Sequence, residues 1–325
     1  MSPSGELFKQ IQPDIDKVEF HLMENLRSHI PLIGEINRHI LVGGGKRLRP
    51  LLFVLCARLC GDRGERAYTL SSIYEYLHAA TLLHDDVIDK AATRRGKPAA
   101  NTVWGNSASV LVGDFLLSKS FSLAVESGNL RLLEVLSQTT TQMAEGMVLE
   151  LIHTNNLEVD EETYKDILVN KTAILISAAC QTGAIWGGSA EPEEQALAEY
   201  GLDIGIAFQM VDDLLDYEAS EQETGKTVAN DFKEGKITLP VIQALRVCSS
   251  EERRAVERAA KKPEPEPEDI RLVFDLVSKY GGLEYTRNKA LDYKKQAQDC
   301  LKIFPAGPEK QVLLDLADFV VERRK

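Results

Sequence analysis

Two short stretches of the chain, 84-HDDVID-89 and 212-DDLLDY-217, each carry three aspartates in the pattern Asp-Asp-x-x-Asp. On an α-helix the first and last of each set, Asp85 with Asp89 and Asp212 with Asp216, stand four residues apart and share one face. Asp86 and Asp213 flank that face. Three carboxylates within about one turn repel one another unless something positive sits among them. Hard oxygen donors with room for water suit Mg²⁺ or Mn²⁺, bound through one or two carboxylates plus the phosphate oxygens of a substrate. A solvated acidic face is the alternative for either stretch alone. The surroundings weigh against it, because Leu82, Leu83, Val87 and Ile88 frame the first set and Met210, Val211, Leu214 and Leu215 the second. The glycine-bearing spacing of an EF-hand is missing from both.

Basic residues follow where an anion would need them. The stretch 93-TRRGKP-98 has adjacent arginines, whose forks suit phosphate oxygens, and a glycine expected to end the helix. Nearer the N-terminus, 43-GGGKRLRP-50 joins three glycines to Lys46, Arg47 and Arg49 ahead of an apolar run. It can cradle a diphosphate with backbone N–H groups and basic side chains, or serve as a hinge. Lys226 and Lys236 lie on the long irregular stretch 218–236, placed by sequence to close over the second aspartate set. Metal ions on two opposed acidic faces would neutralise charge as it builds on a departing diphosphate. Departure from an allylic carbon leaves a delocalised cation, which an apolar, water-free pocket protects. No covalent nucleophile is needed, and the chain has neither Gly-x-Ser-x-Gly nor an activated-cysteine signature.

Such residues need a scaffold. The chain has 325 residues, 44% hydrophobic and 27% charged, an ordinary globular balance. The 38 Lys and Arg against 50 Asp and Glu leave a net charge of −12, which disfavours nonspecific nucleic-acid binding and obliges an anion site to supply its own cations. Five scattered cysteines without a Cys-x-x-Cys point to neither zinc nor a disulfide framework, and to a reducing cytoplasm. The start, MSPSGELFKQ, lacks the layout of a signal peptide, and no run approaches 18 uncharged apolar residues. A soluble protein is expected, with peripheral membrane contact left open. Apolar periodicity predicts helices at roughly 50–60, 68–90, 107–127, 130–152, 162–187, 192–217, 239–260, 269–280 and 283–302. No sustained alternating pattern predicts strands. The expected fold is all-α, a single domain over 1–325 with a central helix bundle, and 261-KKPEPEPED-269 as an extended surface loop.

Taken together, 43-GGGKRLRP-50, 82-LLHDDVIDKAATRRGKPAANTVWGN-106, 109-SVLVGDFLL-117, 170-NKTA-173, 208-FQMVDDLLDY-217 and 233-KEGKITLP-240 make the chain resemble the trans-isoprenyl (polyprenyl) diphosphate synthases, particularly the long-chain, octaprenyl type. The likeness runs from about Gly43 to the C-terminal 318-DFVVERRK-325. It implies antiparallel helices around a deep central cavity, a homodimer and three Mg²⁺ ions. By the same resemblance Asp85 and Asp89 hold two metals on the allylic diphosphate and Asp212 the third, while Asp86, Asp213 and Asp216 complete the motifs. Arg94, Lys171, Thr172, Gln209, Lys226 and Lys236 match positions that bind or order the allylic diphosphate, Lys171 and Lys226 being counted with the catalytic set. Lys46, Arg49, His78 and Arg95 match the pocket for isopentenyl diphosphate. The implied reaction is ionisation, condensation and elimination, with the departed diphosphate as base.

In this family a bulky aromatic five positions before the first aspartate keeps products short. Here that position is Ala80, with Tyr76 one turn deeper, which implies a product of about C35–C50. Two departures stand out: Met147 and Glu150 replace residues that are commonly Glu and Gln in long-chain relatives, and Ala229 stands where glycine is frequent. The rival readings are a shorter-chain synthase, a terpene cyclase, and a non-catalytic subunit of a heteromeric synthase. Cyclases generally carry a different second ligand set, and non-catalytic subunits typically lose aspartates, whereas all six stand here.

Overall fold

The computed structural model describes residues 3–41, 46–218, 229–262 and 264–323. Of the expected site residues, Lys226 lies outside them. Among the described residues the regular structure is helical except for one hairpin of two-residue strands, β1 (Thr93–Arg94) and β2 (Lys97–Pro98). The chain divides into two compact units, and α7 (Leu130–His153), α9 (Ile174–Gly187) and α10 (Glu191–Glu218) contribute residues to both.

The first unit comprises Met1–Gln138, Ala178–Ala198 and Ile303–Leu313. Its centre is α4 (Arg66–Ile88), buried at nearly every position from Ala67 to Ala80, as an all-round apolar helix must be. Around it pack α1 (Pro3–Glu24), α3 (Leu48–Leu59) and α6 (Asn106–Glu126). Two glycines let α9 approach α3: Gly183 and Gly187 face the Phe53 and Ala57 carbonyls, where an added Cβ would come within 2.5 Å of either oxygen. Sequence periodicity did not assign α1, α2 (Pro31–Leu41), the short α5 (Ala100–Trp104) or the last helix, Pro308–Glu322. In α1 the interior Pro13 hid a regular stripe of Leu7, Ile11, Val18 and Leu22, all buried, while the proline itself is exposed.

The second unit comprises Thr139–Ser177, Glu199–Lys302 and Leu314–Lys325. Its core gathers Ile206, Met210, Val211, Phe232, Leu239, Val256, Val273 and Ala290. Three expectations need correction here. The run 239–260 is two helices, Leu239–Val247 and Ser250–Ala260, because Ser249 and Glu252 form a reciprocal capping box that starts a new helix. The run 162–187 is interrupted: α8 (Glu161–Leu168) and α9 are joined by a π-helical turn, Val169–Ala173. Finally, 261–269 is not extended throughout, since Glu266 caps a helix that begins at Pro267, a residue suited to a first helical turn.

Candidate active site

In the first unit the aspartates sit at the C-terminal end of α4. The helix closes at Ile88, and the Asp89 N–H still donates to the Asp85 carbonyl at 2.8 Å, so these two remain on one face. Asp85 is half-buried and Asp89 exposed. Asp86 turns inward and is completely buried. Its Oδ1 accepts from Arg94 Nε at 2.6 Å, and Asn101 Nδ2 donates to its backbone carbonyl at 2.9 Å, while Oδ2 has no hydrogen-bond partner. Burial pushes the Asp86 carboxyl above its ordinary range, and the Arg94 guanidinium pulls it back.

Arg94 reaches Asp86 because of the hairpin. Arg94 pairs with Lys97 across a two-residue turn, Arg95–Gly96, with both residues at positive φ (51° and 73°), as in a type I′ turn. The expected role for Gly96 as a helix stop is therefore replaced by a hairpin turn. Arg94, Arg95, Lys97, Asp86 and His39 line a small cleft. His78 lies within electrostatic reach of Arg49, Arg95, Arg94 and Arg47, and burial together with these charges holds its imidazole well below the usual range.

The basic stretch after the glycines splits in two. Lys46 is exposed and Arg49 half-buried. Arg47, expected to help cradle an anion, is instead buried in a left-handed conformation (φ 48°). Its Nη1 meets Glu75 Oε1 at 2.6 Å, and its Nη2 donates to the Leu41 carbonyl at 2.5 Å. Tyr76 is buried and donates its hydroxyl to the Leu22 carbonyl of α1 at 2.5 Å; Ala80, one turn on, is buried as well. His84 lies against Gly113 of α6, where an added Cβ would stand 2.3 Å from the His84 Nε2.

In the second unit the π-helical turn carries Lys171 and Thr172, a feature that is frequent where helices bear function. It is clasped between two glycines. A Cβ on Gly146 of α7 would fall 2.7 Å from the Asn170 and Lys171 backbone, and one on Gly205 of α10 2.6 Å from Ala173 Cα. Thr172 Oγ1 donates to Gln209 Oε1 at 3.3 Å, and Gln209 Nε2 donates to Asp213 Oδ1 at 3.0 Å. The Tyr164 hydroxyl donates to Asp213 Oδ2 at 2.6 Å. Like Asp86, Asp213 is the buried member of its set. Burial raises its carboxyl to about 7 against the pull of Tyr164 and Gln209, with Asp212 and Asp216 adding to the rise.

Asp212 and Asp216 are half-buried. Asp212 Oδ1 is met at 2.5 Å by Arg323 Nη2, which also donates to the Phe208 carbonyl at 2.7 Å, and whose guanidinium lies 3.8 Å over the Phe208 ring. Asp216 accepts at Oδ2 from the Asp231 N–H at 3.0 Å and at its carbonyl from the Ala229 N–H at 3.0 Å. Lys236 Nζ bonds Glu234 at 2.7 Å, and Lys171 Nζ bonds Glu150. Lys171, Thr172, Gln209, Asp213 and Lys236 line one cavity of about 150 Å³, together with Glu150, His153, Tyr164 and Asp231. Sequence reasoning missed Tyr164, Asp231 and Arg323. Arg323 lay inside the C-terminal 318-DFVVERRK-325 and Asp231 inside the irregular stretch 218–236, whereas Tyr164 lay in no motif.

The donor set suits a hard cation. The outer aspartates, Asp85, Asp89, Asp212 and Asp216, offer oxygen ligands on the more open side of each set. Such donors fit Mg²⁺, which keeps waters and substrate oxygens in its shell.

A family model described as polyprenyl synthetase matches residues 30–277. The chain is 40% identical to the octaprenyl diphosphate synthase of Haemophilus influenzae, over 98% of this chain and 96% of that protein. To the octaprenyl diphosphate synthase of Escherichia coli it is also 40% identical, over 95% and 96%. Among solved structures, a polyprenyl synthase from Caulobacter crescentus complexed with calcium and isoprenyl diphosphate is similar at a TM-score of 0.93 and 39% identity, covering 98% of this chain and 97% of that one. A decaprenyl diphosphate synthase from Rhodobacter capsulatus gives 0.93 and 42%, covering 99% of each.

Proposed function

The chain belongs to the polyprenyl synthetase family, and from that premise we propose that it is a long-chain trans-polyprenyl diphosphate synthase. Isopentenyl diphosphate condenses with an allylic diphosphate: the allylic C–O bond breaks, a C–C bond forms, a proton leaves, and the products are free diphosphate and a chain five carbons longer. The observation that carries this reading is the near full-length similarity to octaprenyl diphosphate synthases in a chain that retains both Asp-Asp-x-x-Asp sets. The family match draws on both units, so the activity is assigned to the whole chain.

Asp85 and Asp89 would hold two Mg²⁺ ions and Asp212 a third, which when bound would offset the negative charge of the leaving diphosphate. Asp86 and Asp213 are buried and act from behind, orienting their helices through Arg94 and Tyr164. Arg94, Lys171, Thr172, Gln209, Lys226 and Lys236 are assigned to the allylic diphosphate, and Lys46, Arg49, His78 and Arg95 to isopentenyl diphosphate. Held neutral by burial and by the surrounding arginines, His78 would contribute hydrogen bonds and leave the positive charge to Arg49 and Arg95.

A homodimer fits the surface of the first unit. Helix α6 has a mean hydropathy of 1.4 over its most apolar 18 residues, with 39% of that stretch buried. Leu111, Val125 and the nearby Leu130 are each more than 60% exposed. Asp114 and Lys119 interrupt α6, and its Gly113 packs against His84, which suits a helix covered by protein better than one crossing a lipid bilayer. The five cysteines form no disulfide, in keeping with a reducing cytoplasm as the proposed compartment; peripheral membrane contact for product release is proposed from the apolar product alone.

The test is to incubate the purified protein with Mg²⁺, isopentenyl diphosphate and geranyl, farnesyl or geranylgeranyl diphosphate, and to weigh the products. Diphosphate release that requires both substrates and products of C35–C50 are expected. Release from the allylic substrate alone, with a cyclic hydrocarbon, would transfer the assignment to a terpene cyclase.

A further inference from the structure

Glu150 and Lys171 meet inside the cavity of the second unit, the carboxylate Oε2 accepting from Nζ. The two side chains are 24% and 23% exposed, so the pair is neither fully hydrated nor dry. Backbone packing brings them together: Gly146, one turn before Glu150 on α7, lies against the Asn170–Lys171 peptide of the π-helical turn. An amide at position 150 would keep the shape of this contact and remove its charge.

We infer that Glu150 is a built-in stand-in for the allylic diphosphate, an anion that holds Lys171 in the substrate-free enzyme and that the incoming diphosphate must displace. This rests on the assignment of Lys171 to diphosphate binding made above. A carboxylate brings one negative charge to Lys171, whereas a diphosphate brings more, together with several acceptor oxygens, so the exchange runs toward the substrate. Because Glu150 competes for the same ammonium, it weakens the hold on any diphosphate seated there. Glu150 is thus a positioning residue that sets affinity through its hold on Lys171.

The probe is inorganic diphosphate with Mg²⁺, followed by calorimetry on the full chain, beside steady-state kinetics. Glu150→Gln is expected to tighten diphosphate binding by about tenfold and to lower the KM for the allylic substrate by a similar factor, with a smaller change in kcat. In a Lys171→Gln background the same substitution is expected to change affinity by less than about twofold, because the ammonium for which Glu150 competes is gone. Glu150→Ala, which removes the charge without an amide, serves as a second variant and should move affinity in the same direction. Equal or weaker binding by Glu150→Gln would overturn the inference, as would an undiminished gain in the Lys171→Gln background, which would make Glu150 a mere source of repulsion. Failure of wild type and variants alike to bind diphosphate would overturn both this inference and the functional assignment beneath it.

Discussion

The Tyr164 hydroxyl of α8 donates to Asp213 Oδ2 of α10 at 2.6 Å, spanning 49 residues of sequence to hold the one aspartate of the second motif that is buried. The first motif solves the same problem with a different donor, Arg94 on Asp86. In both sets the middle carboxylate points inward and is fixed by a neighbour, leaving the outer two on a more open face.

Tyr164→Phe should therefore loosen the second set without emptying it. The Gln209 amide remains on the other Asp213 oxygen, so the expected loss is one hydrogen bond to a charged acceptor, about 1–3 kcal/mol. With that donor gone the ionised carboxylate is less favoured, and the Asp213 carboxyl should rise further from its value of about 7. Urea denaturation of the metal-free protein measures the first effect, and carboxyl titration by isotope-edited NMR measures the second. A fall in the Asp213 value would contradict the assigned role of Tyr164.

Gly146→Ala tests whether backbone contact positions Lys171. The added methyl would meet the Asn170 and Lys171 backbone at 2.7 Å, and backbone cannot swing aside. Overpacking of about 1–3 kcal/mol is expected, with at least a tenfold loss of kcat/KM as Lys171 and Thr172 shift. Gly34→Ala is the control. Its Cβ meets only the Arg38 side chain, at 3.9 Å, so the change should stabilise α2 by about 0.5–1 kcal/mol. Thermal melts and kinetics of the pair separate the two outcomes.

Ala229 adopts the left-handed conformation, at φ 55° and ψ 46°, while its N–H bonds the Asp216 carbonyl. An L-residue with a Cβ is strained there by about 1–2 kcal/mol, and glycine is not. Ala229→Gly should raise stability by about 1 kcal/mol once the added freedom of the unfolded chain is subtracted. A lower denaturation midpoint would show that the buried methyl contributes more through packing than it costs in strain.

Asp203 offers a pH test away from the motifs. Burial, with Glu199 adding to it and Lys165 opposing, raises its carboxyl to about 6. The folded value exceeds the unfolded one, so between about pH 4 and pH 6 the native state binds more protons and this residue's contribution to stability falls as pH rises. Asp203→Asn should therefore stabilise the protein at pH 7.5 and have little effect at pH 4.5. An equal effect at both values, in paired thermal melts, would contradict the shift.

Ala80→Phe tests the product-length assignment. Ala80 is buried on α4, one turn beyond Tyr76 and five residues before Asp85. If the growing chain passes this point, a phenyl group there should shorten the products while turnover persists. Mass spectrometry reads the result, and unchanged product length would place the limit on other helices.

The placement of the aspartates was legible in the sequence because residues at four-residue spacing on a helix share a face wherever that helix lies, and apolar flanks mark the helix as embedded. The long helices α4, α6, α7 and α10 were legible for the same reason, being written in local periodicity, whereas α1 was not. What only the tertiary structure decided was which carboxylate in each set turns inward and what meets it. Asp86 and Arg94 depended on a type I′ turn hidden in Arg95–Gly96, and Asp212 and Arg323 on a contact across 111 residues. Arg47, one residue from Lys46, went to Glu75 rather than to the surface. The π-helical turn under Lys171 was likewise decided by tertiary contact, since it fits where Gly146 and Gly205 let two other helices press against it. Local patterns determine which faces a helix presents; the partner of a buried charge is chosen by whichever distant segment packs there, and no spacing along the chain records that choice.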